Sequence, residues 1–436
     1  MMAAAAAVSR GRCVLGGQRR GRAERAHTCC VGPSRRPRAA TARAAAGAES
    51  GGEWRLSLQL QLRATALSLL ATAVVLSSAP ADAALVSPNT RLPRSAEVAL
   101  RRSVPVVNAT VGAVQDRLEN VLYLLRIPQR KPWGTMSSDV AACRQALVSD
   151  RDAILLVVPE AKRQAADSSL AALSARLESV ATAVGAQDAD AVSQRTSAAL
   201  GEVATLEMLQ APGLVFLLPQ QYAARPRLLG RAEVELRVER RGGGSFTAGR
   251  DGSGPQRSGS LRLVLDGYNA PLTAGNFAAL VQRGFYDGTP LAAQPADEAV
   301  FALPPGPSPL AGAPLPLEMR GVGEFEPRYR APLDVQSGDP IPVLPLSVYG
   351  SAAMARGAEG NNSDGAAFFL YRYSRANAGL GGIAFEEGQY SVFAYVLGTD
   401  GQDLLRQLRS GDVITQAKLV AGAENLVLPE VMTPRK

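Results

Sequence analysis

The chain has 436 residues, and its 47 Lys and Arg against 39 Asp and Glu give a formal net charge of +8. Residues 1–83 hold twelve arginines and only four acids, which leaves 35 basic and 35 acidic residues after position 83. This neutral remainder excludes nucleic-acid binding driven by overall charge. His27, the single histidine, lies in the first segment, so the rest of the chain excludes histidine-type zinc sites, Ser-His-Asp triads and histidine acid–base catalysis. Cys143 is the one cysteine after position 83, which excludes an intrachain disulfide there.

Two segments at the start of the chain are typical of targeting signals. Residues 1–50 are rich in Arg, Ala, Ser and Gly and almost free of acids, as in an organelle transit peptide. Residues 51–83 contain an apolar run from Ala64 and end in the small-x-small motif Ala-Asp-Ala, a cleavage site. The run is short and rich in alanine for a membrane span, although a retained anchor is the alternative. Two signals in series predict a chloroplast thylakoid lumen protein that is peripheral at most to a membrane after cleavage.

The next part of the chain is predicted to be helical. Residues 84–103 are interpreted as a polar, extended leader, and residues 104–211 as a helical bundle, because apolar positions recur at spacings of three and four. Ser137 or Ser138 would cap the second helix. Short connections predict antiparallel neighbours. The leucine stripe of the third helix is interpreted as bundle core rather than a coiled-coil dimer, because it lasts barely two heptads. The helices are predicted at about 104–126, 137–158, 170–185 and 188–209.

From position 212 the pattern changes to strands. Residues 212–230 are apolar and broken by prolines, which suits a linker, and residues 231–436 show period-two alternation between turns. Thr273 is a candidate N-cap for a helix that continues to about Arg283. The proline-rich segment, residues 303–346, predicts long ordered loops. About eight strands with two helices predict a closed antiparallel barrel, so the fold class is α+β: a helical bundle followed by a barrel.

Four stretches of this second part resemble the cyclophilin family, in the family's order. They are "VLDGYNAPLTAGNF" with "FYDG", then "YGSAAMA", "GAAFFLY" and "FEEGQYSVFAYV". In addition, "YLLRIPQRKPWGTM", "LEMLQAPGLVFLLPQQY" and "VLPLSVYG" are similar to the plastid thylakoid-lumen multidomain cyclophilins, the group of the lumenal cyclophilins 37 and 38. The resemblance covers nearly all of residues 84–436. It implies a cyclophilin-like barrel of the peptidyl-prolyl cis-trans isomerase family behind an N-terminal helical domain.

The resemblance also implies where catalytic groups belong. The family lowers the barrier of roughly 20 kcal/mol to rotation about an X–Pro bond. It uses an arginine donor, a glutamine and an asparagine around an apolar pocket closed by a tryptophan and a histidine. Here the arginine position is Ala293, the glutamine is Ala367 and the asparagine is Arg356. The tryptophan is Phe385 and the histidine is Tyr390.

The apolar pocket positions match the family's residues better than the polar catalytic positions do. Met354, Ala355 and Phe369 match the family's groove, and with Phe385, Tyr390 and Arg356 they complete the groove candidates. The alternative for the aromatic residues and Met354 is ordinary barrel core. A retained groove would bind a proline-bearing segment, and the proline-rich segment or the linker at 212–226 would be able to occupy it in cis.

Three hypotheses follow for the function. The favoured one is a weak or inactive isomerase that acts as a protein-binding or assembly factor, with no cofactor and no metal. The second is an active peptidyl-prolyl isomerase that uses Arg356 and Tyr390 in place of the usual residues. The third is an adaptor that works through its helical bundle. By resemblance, the partners are proline-containing protein segments and the lumenal parts of photosynthetic membrane complexes.

Overall fold

The computed structural model describes residues 92–128, 130–247, 254–293, 298–310, 314–357 and 360–429. Both predicted targeting segments, residues 1–50 and 51–83, lie outside these residues. None of the helices formed by the described residues is both long enough and apolar enough to span a membrane.

The first helix corrects the prediction of an extended leader. Helix α1 (Ala96–Ser103) lies inside the segment interpreted as polar and extended, and the Ser95 hydroxyl caps it by accepting a hydrogen bond from the Val98 amide, 3.4 Å away. With only eight residues, α1 is too short for its periodicity to stand out in the sequence. It is fixed by burial, because Ala99 and Leu100 belong to the core of the barrel.

The helical bundle is confirmed. Four long helices surround one apolar core in the spatial order α2, α3, α5 and α6. The predicted boundary between α5 and α6 is confirmed: α5 ends at Gly185 and α6 begins at Ala189, where the Asp188 carboxylate accepts from the amides of Asp190 and Ala191 at 3.1 and 3.0 Å. The helices are α2 (Ala109–Leu124), α3 (Trp133–Ser149), the short α4 (Arg151–Leu156), α5 (Arg163–Gly185) and α6 (Ala189–Gln210).

The predicted start of α3 is wrong. The helix begins at Trp133, so Ser137 and Ser138 lie inside it rather than at its N-cap. Pro132, with φ −80° and ψ 69°, directly precedes the first turn. A proline costs nothing where the helix has no partner for an N–H, so the proline that appears to be a breaker in the sequence marks the start.

Eight antiparallel strands close the barrel in the order β5, β4, β12, β2, β3, β11, β9, β10 and back to β5. A short strand, β6, extends the edge beside β10, and β1–β13 and β7–β8 form two small ribbons. The long strands are β2 (Arg231–Arg240), β3 (Ser258–Asp266), β9 (Ser351–Arg356), β10 (Asn362–Tyr371), β11 (Val392–Leu397) and β12 (Asp412–Ala421). The short ones are β1 (Arg227–Leu228), β4 (Thr289–Ala292), β5 (Ala299–Ala302), β6 (Leu315–Pro316), β7 (Glu318–Met319), β8 (Arg328–Tyr329) and β13 (Leu426–Val427).

Two helices accompany the barrel, α7 (Pro271–Gln282) and α8 (Thr399–Gln407). Thr273 is not the N-cap of α7, because the helix begins at Pro271. The cap comes instead from β7: Glu318 accepts from the amides of Leu272 and Thr273, at 3.2 and 2.8 Å, and from the Thr273 hydroxyl at 2.8 Å. Although these bonds favour the carboxylate, complete burial dominates and raises the pKa of Glu318 to about 7.

The helical part is joined to the barrel through a buried aspartate. Asp266, fully buried at the end of β3, accepts a hydrogen bond of 2.5 Å from the Ser103 hydroxyl at the end of α1. Asn269 donates to the Ser103 carbonyl over 2.7 Å, and Arg231 lies 3.5 Å from the Asp266 carboxylate and donates to the Leu100 carbonyl. These contacts fix α1 against one end of β2 and β3.

Candidate functional site

One face of the barrel carries a row of paired residues across four strands. Phe369 of β10 is opposite Phe301 of β5 on one side and Ala353 of β9 on the other, and Phe301 is also opposite Ala292 of β4. Directly opposed residues of antiparallel strands point to the same face. The neighbouring residue, Phe368, points the other way, into the barrel, where its ring contacts those of Phe277 and Tyr286. The row therefore lies on the outside of the barrel.

Aromatic rings surround Phe369 on this outer face. Its ring centroid lies 5.4 Å from that of Phe301, 5.0 Å from that of Tyr390 and 6.5 Å from that of Tyr371. We call these four residues the outer aromatic cluster. Phe369 is only 3 % exposed, whereas Phe301 is 38 % exposed. Phe369 therefore forms the floor of the cluster, and Phe301 is its exposed face.

Met354 does not belong to this groove, contrary to the sequence prediction. It is opposite Phe368, so it points into the barrel, and it is fully buried. Ala355, the next residue of the strand, lies on the outer face and is half-buried. The motif match identified the strand, but the pairing of that strand decides which of its residues are accessible.

Phe385 lies at the surface. It is 67 % exposed, and one edge of its ring contacts Gly379 closely enough that a side-chain carbon there would be 3.2 Å away. Among the described residues its ring forms no contact with Phe369 or Tyr390, so the structure does not bring this candidate into the cluster.

The residues at the positions of the family's arginine and glutamine both form hydrogen bonds within the protein through their backbone. Ala293, one residue beyond β4, is 3 % exposed; its amide donates to the Ser410 hydroxyl at 2.9 Å, and its carbonyl accepts from the Ser410 amide at 2.6 Å. Ala367 is half-buried, and its amide donates to the Asp364 carboxylate at 2.9 Å. Neither methyl group can donate a hydrogen bond to a peptide.

Arg356 brings a cation close to the cluster. Its Nη1 donates to the carbonyl of Gln389 at 2.6 Å, immediately before Tyr390. Tyr390 in turn packs edge-on against Phe369. Thus Arg356, Tyr390 and Phe369 are neighbours, as the sequence comparison with the family implied, but part of the guanidinium is occupied by the protein's own backbone.

Three acidic residues support the site and were missed in the sequence. Asp364 accepts from the amides of Ala366 and Ala367, which organises the irregular stretch of β10 before Phe368. The side chain of Glu298 accepts from the Tyr371 hydroxyl at 2.8 Å, and burial together with this carboxylate raises the pKa of Tyr371. The Asp364 contacts form a local Asx-type turn that a sequence can reveal, whereas the Glu298 pairing spans distant segments.

The third acid, Glu387, holds the turn that leads to Tyr390. Its carboxylate accepts from the amides of Leu346 and Ser347, both at 2.8 Å, and burial raises its pKa. Gly388 follows with φ +78°, and a side-chain carbon there would lie 2.3 Å from the Leu333 carbonyl. The proline-rich segment therefore braces the turn, and only glycine allows so close an approach.

The linker lies elsewhere on the barrel. The ring of Tyr222 packs against that of Tyr329 at 5.1 Å, and Arg225 donates to the Pro314 carbonyl at 2.9 Å. These contacts place the linker on the proline-rich segment, away from the outer aromatic cluster. Within the described ranges, no group of three or more His, Cys, Asp or Glu side chains is arranged to hold a metal ion.

Comparisons with known proteins agree with this architecture. Residues 95–210 match a family model described as "Peptidyl-prolyl cis-trans isomerase CYP38-like, PsbQ-like domain", and residues 254–298 match "Cyclophilin type peptidyl-prolyl cis-trans isomerase/CLD". The Arabidopsis thaliana protein "Peptidyl-prolyl cis-trans isomerase CYP37, chloroplastic" is 45 % identical over 80 % of this chain and 74 % of its own length.

Two other sequence relatives extend the same pattern. A Synechocystis protein whose name assigns it to the thylakoid lumen and to the peptidyl-prolyl cis-trans isomerases is 33 % identical over 75 % of this chain and 83 % of its own length. The Arabidopsis CYP38 protein is 30 % identical over 76 % of this chain and 75 % of its own length. The solved structure of a Cryptosporidium parvum cyclophilin covers 43 % of this chain and 99 % of its own, with 18 % identity and a TM-score of 0.27.

The chain therefore belongs to the cyclophilin-type peptidyl-prolyl cis-trans isomerase family, in the multidomain group with an N-terminal helical domain. The Arabidopsis relatives are named as chloroplastic and the Synechocystis relative as a thylakoid lumen protein, so this chain is a protein of the chloroplast thylakoid lumen.

Proposed function

We propose that this cyclophilin binds proline-containing protein segments at the outer aromatic cluster and isomerises them weakly or not at all. The observation that carries the proposal is the lack of side-chain donors where the family places its arginine and glutamine. Ala293 and Ala367 stand there, and both use their backbone amides within the protein.

The chemistry of the reaction explains why these two positions matter. Rotation about the X–Pro bond needs the imide to lose its double-bond character, and preorganised donors stabilise that state. In other enzymes the loss of one such donor costs about 10²–10³ in rate. An aromatic surface, in contrast, is enough to bind a proline ring, as domains that recognise proline-rich segments do. Phe301, Phe369 and Tyr390 supply that surface.

The test compares binding and turnover on the same peptide. The full chain is titrated with a labelled Xaa-Pro peptide and then assayed for its isomerisation, with an active single-domain cyclophilin as reference. Saturable binding with a rate at least 100-fold below that of the reference supports the proposal. A rate within tenfold of the reference contradicts it.

Arg356 favours a second candidate, an isomerase with an unusual donor. Its guanidinium lies at the Gln389 carbonyl, next to Tyr390, and its nitrogens other than Nη1 are able to donate to a bound peptide. In this case Arg356→Ala would reduce any measured rate, while Arg406→Ala on α8 would not. Unchanged activity in Arg356→Ala and in Tyr390→Phe would remove both residues as catalysts.

For the biological role, we infer an assembly factor for the lumenal parts of photosynthetic membrane complexes. The lumenal location and the extra helical domain support this inference. Crosslinking of the full chain in thylakoid preparations, followed by identification of the crosslinked peptides, tests it: crosslinks from the barrel to lumenal loops support it, and crosslinks from the helical bundle alone favour the adaptor hypothesis, which stays a prediction.

A further inference from the structure

A second cleft lies between the helical part and the proline-rich segment. It has a volume of about 490 Å³, within the range of roughly 300–1,000 Å³ typical of ligand sites. One wall is the end of α1 with the connector to α2, residues 102–106, and the other is formed by Arg320, Val322, Gly323 and residues 339–343. None of the four residues of the outer aromatic cluster lines it. We call it the connector cleft.

The second wall of the cleft is a hydrogen-bonded ribbon. The Val322 amide donates to the Ile341 carbonyl at 2.9 Å, and the Val343 amide donates to the Arg320 carbonyl at 2.8 Å. Gly321 is opposite Pro342 between these two bonds. Because the ribbon is fixed before any ligand arrives, binding there does not have to order the backbone.

Apolar side chains face this cleft from both walls. Val106 of the connector is 53 % exposed and Val322 of the ribbon is 37 % exposed, and Ile341 and Pro342 also line the cleft. Single exposed valines are ordinary on a protein surface, but two that share one concave site form an apolar contact surface.

Arg320 supplies the charge of the site. Its Nε donates to the Glu324 carbonyl at 2.9 Å and its Nη1 donates to the Asn269 side chain at 3.1 Å, which fixes the guanidinium. It forms no ion pair within 4.0 Å with the residues that the structure describes; burial lowers its pKa, and the charges of Asp266 and Glu324 oppose that change. The other charged side chains of the cleft are engaged: Arg102 with Glu119, and Asp339 with Arg328.

An immobilised and partly desolvated guanidinium without an ion pair is complementary to a carboxylate. We propose that the connector cleft binds an extended acidic segment of a partner protein, with a carboxylate on Arg320 and an apolar side chain between Val106 and Val322. The site needs no proline in its ligand, so it is independent of the function assigned to the outer aromatic cluster.

The experiment uses two matched sets of proline-free acetyl-hexapeptide amides and the full chain. In one set Glu occupies the fourth position, in the other Gln, and the remaining positions are mixtures of Ala, Val and Leu. We expect the Glu set to bind at least tenfold more tightly, since hydrogen bonds to charged groups are the stronger kind. Arg320→Gln should abolish the difference, whereas Arg406→Gln, at an exposed arginine of α8, should leave it unchanged.

A second variant guards against a change in folding. Val106→Asp adds a negative charge at a largely exposed position of the cleft and should weaken binding of the Glu set more than that of the Gln set. Equal binding of the two sets by the unchanged protein, or a Glu preference that survives both Arg320→Gln and Val106→Asp, overturns the proposal. Loss of the Glu preference in Phe301→Ala also overturns it, because the peptides would then occupy the outer aromatic cluster.

Discussion

Under the proposed function, Phe301 is the residue of the outer aromatic cluster that a ligand contacts first. It is the exposed member of the cluster, while the floor residue Phe369 is almost completely covered. Phe301→Ala should therefore weaken binding of an Xaa-Pro peptide by about fivefold, which corresponds to a loss of about 1 kcal/mol of aromatic contact. A fluorescence titration measures this. Phe325→Ala is the matched control, because Phe325 is exposed but lies in the proline-rich segment. An equal loss in both variants would argue against the cluster as the site.

Glu207 of α6 predicts how stability depends on pH. Its side chain is fully buried, and Gln115, oriented with its amide nitrogen toward Glu207, donates to both carboxylate oxygens at 2.6 and 3.0 Å. Burial raises the pKa of Glu207 from 4.5 to about 8. The folded protein thus keeps a proton that the unfolded chain releases between these values. The contribution of Glu207 to the free energy of unfolding should be fully present below pH 4.5 and should be lost as the pH rises to about 8.

A neutral side chain in place of Glu207 separates its effect on the pH dependence of stability from the effects of other titratable groups. Glu207→Gln keeps an uncharged polar group in the same place, so its stability should fall less steeply over that pH window. Urea unfolding at half-unit pH steps measures the slope. Glu202→Gln, in the same helix but partly exposed and paired with Arg176, is the control and should retain the slope of the unchanged protein. Identical slopes for all three proteins would contradict the assignment.

At the scale of single residues, the sequence predicts which residue occupies a site position better than it predicts the face of the strand on which that residue lies. The register of the family motifs led to Ala293 and Ala367, whose backbone bonds the structure then showed. The same motifs misplaced Met354, because the face on which a strand residue lies depends on its partner strand. Glu298 and Glu387 escaped notice because their hydrogen-bond partners are far away along the chain.

Helix α7 depends for its start on a distant strand. Glu318 of β7 caps its first turn, and the helix has no side-chain cap of its own. Glu318→Ala should reduce the free energy of unfolding by about 1–3 kcal/mol, because the Thr273 hydroxyl and two amides lose their partner in the buried interior. Chemical denaturation tests this, with the exposed Glu326→Ala as control. A loss as small as that of the control would mean that water replaces the carboxylate.

Among the elements, length and periodicity decided what the sequence predicted correctly. The stripes of α5 and α6 cover several turns and gave the C-terminal end of α5 and both ends of α6 to within one residue, although α5 begins at Arg163, before its predicted start at about 170. Helix α1 has only two turns and is determined by the barrel core that covers it. Strand β5 has four residues of ordinary composition, yet its pairing with β10 closes the barrel. No local sequence pattern predicts such a pairing.

The helical part and the barrel share a polar junction at Asp266. Ser103→Ala would remove the direct hydrogen bond between α1 and Asp266 but leave Arg231 beside the carboxylate. We expect a cost of about 1–3 kcal/mol and a loss of coupling, so that the two parts unfold at different urea concentrations.

Trp133 fluorescence in a Trp54→Phe background reports the bundle, and near-UV circular dichroism of the tyrosines reports the barrel. Ser168→Ala, at an exposed serine of α5, is the control. Coincident transitions in Ser103→Ala would show that apolar contacts alone couple the parts.

Strand β12 lies between β4 and β2, so the barrel closes only when this strand, one of the last in the chain, is present. A chain that emerges into a compartment amino end first delivers the complete bundle, through Gln210, well before Asp412–Ala421 arrives. Helical contacts are local and form quickly, whereas the barrel waits with the edges of β2 and β4 open. Open edges are templates for pairing with other chains. A chain interrupted before Asp412 would therefore carry a folded bundle and an incomplete sheet that is prone to aggregate. The pairing of β12 with β2 and β4 closes both open edges and removes this tendency.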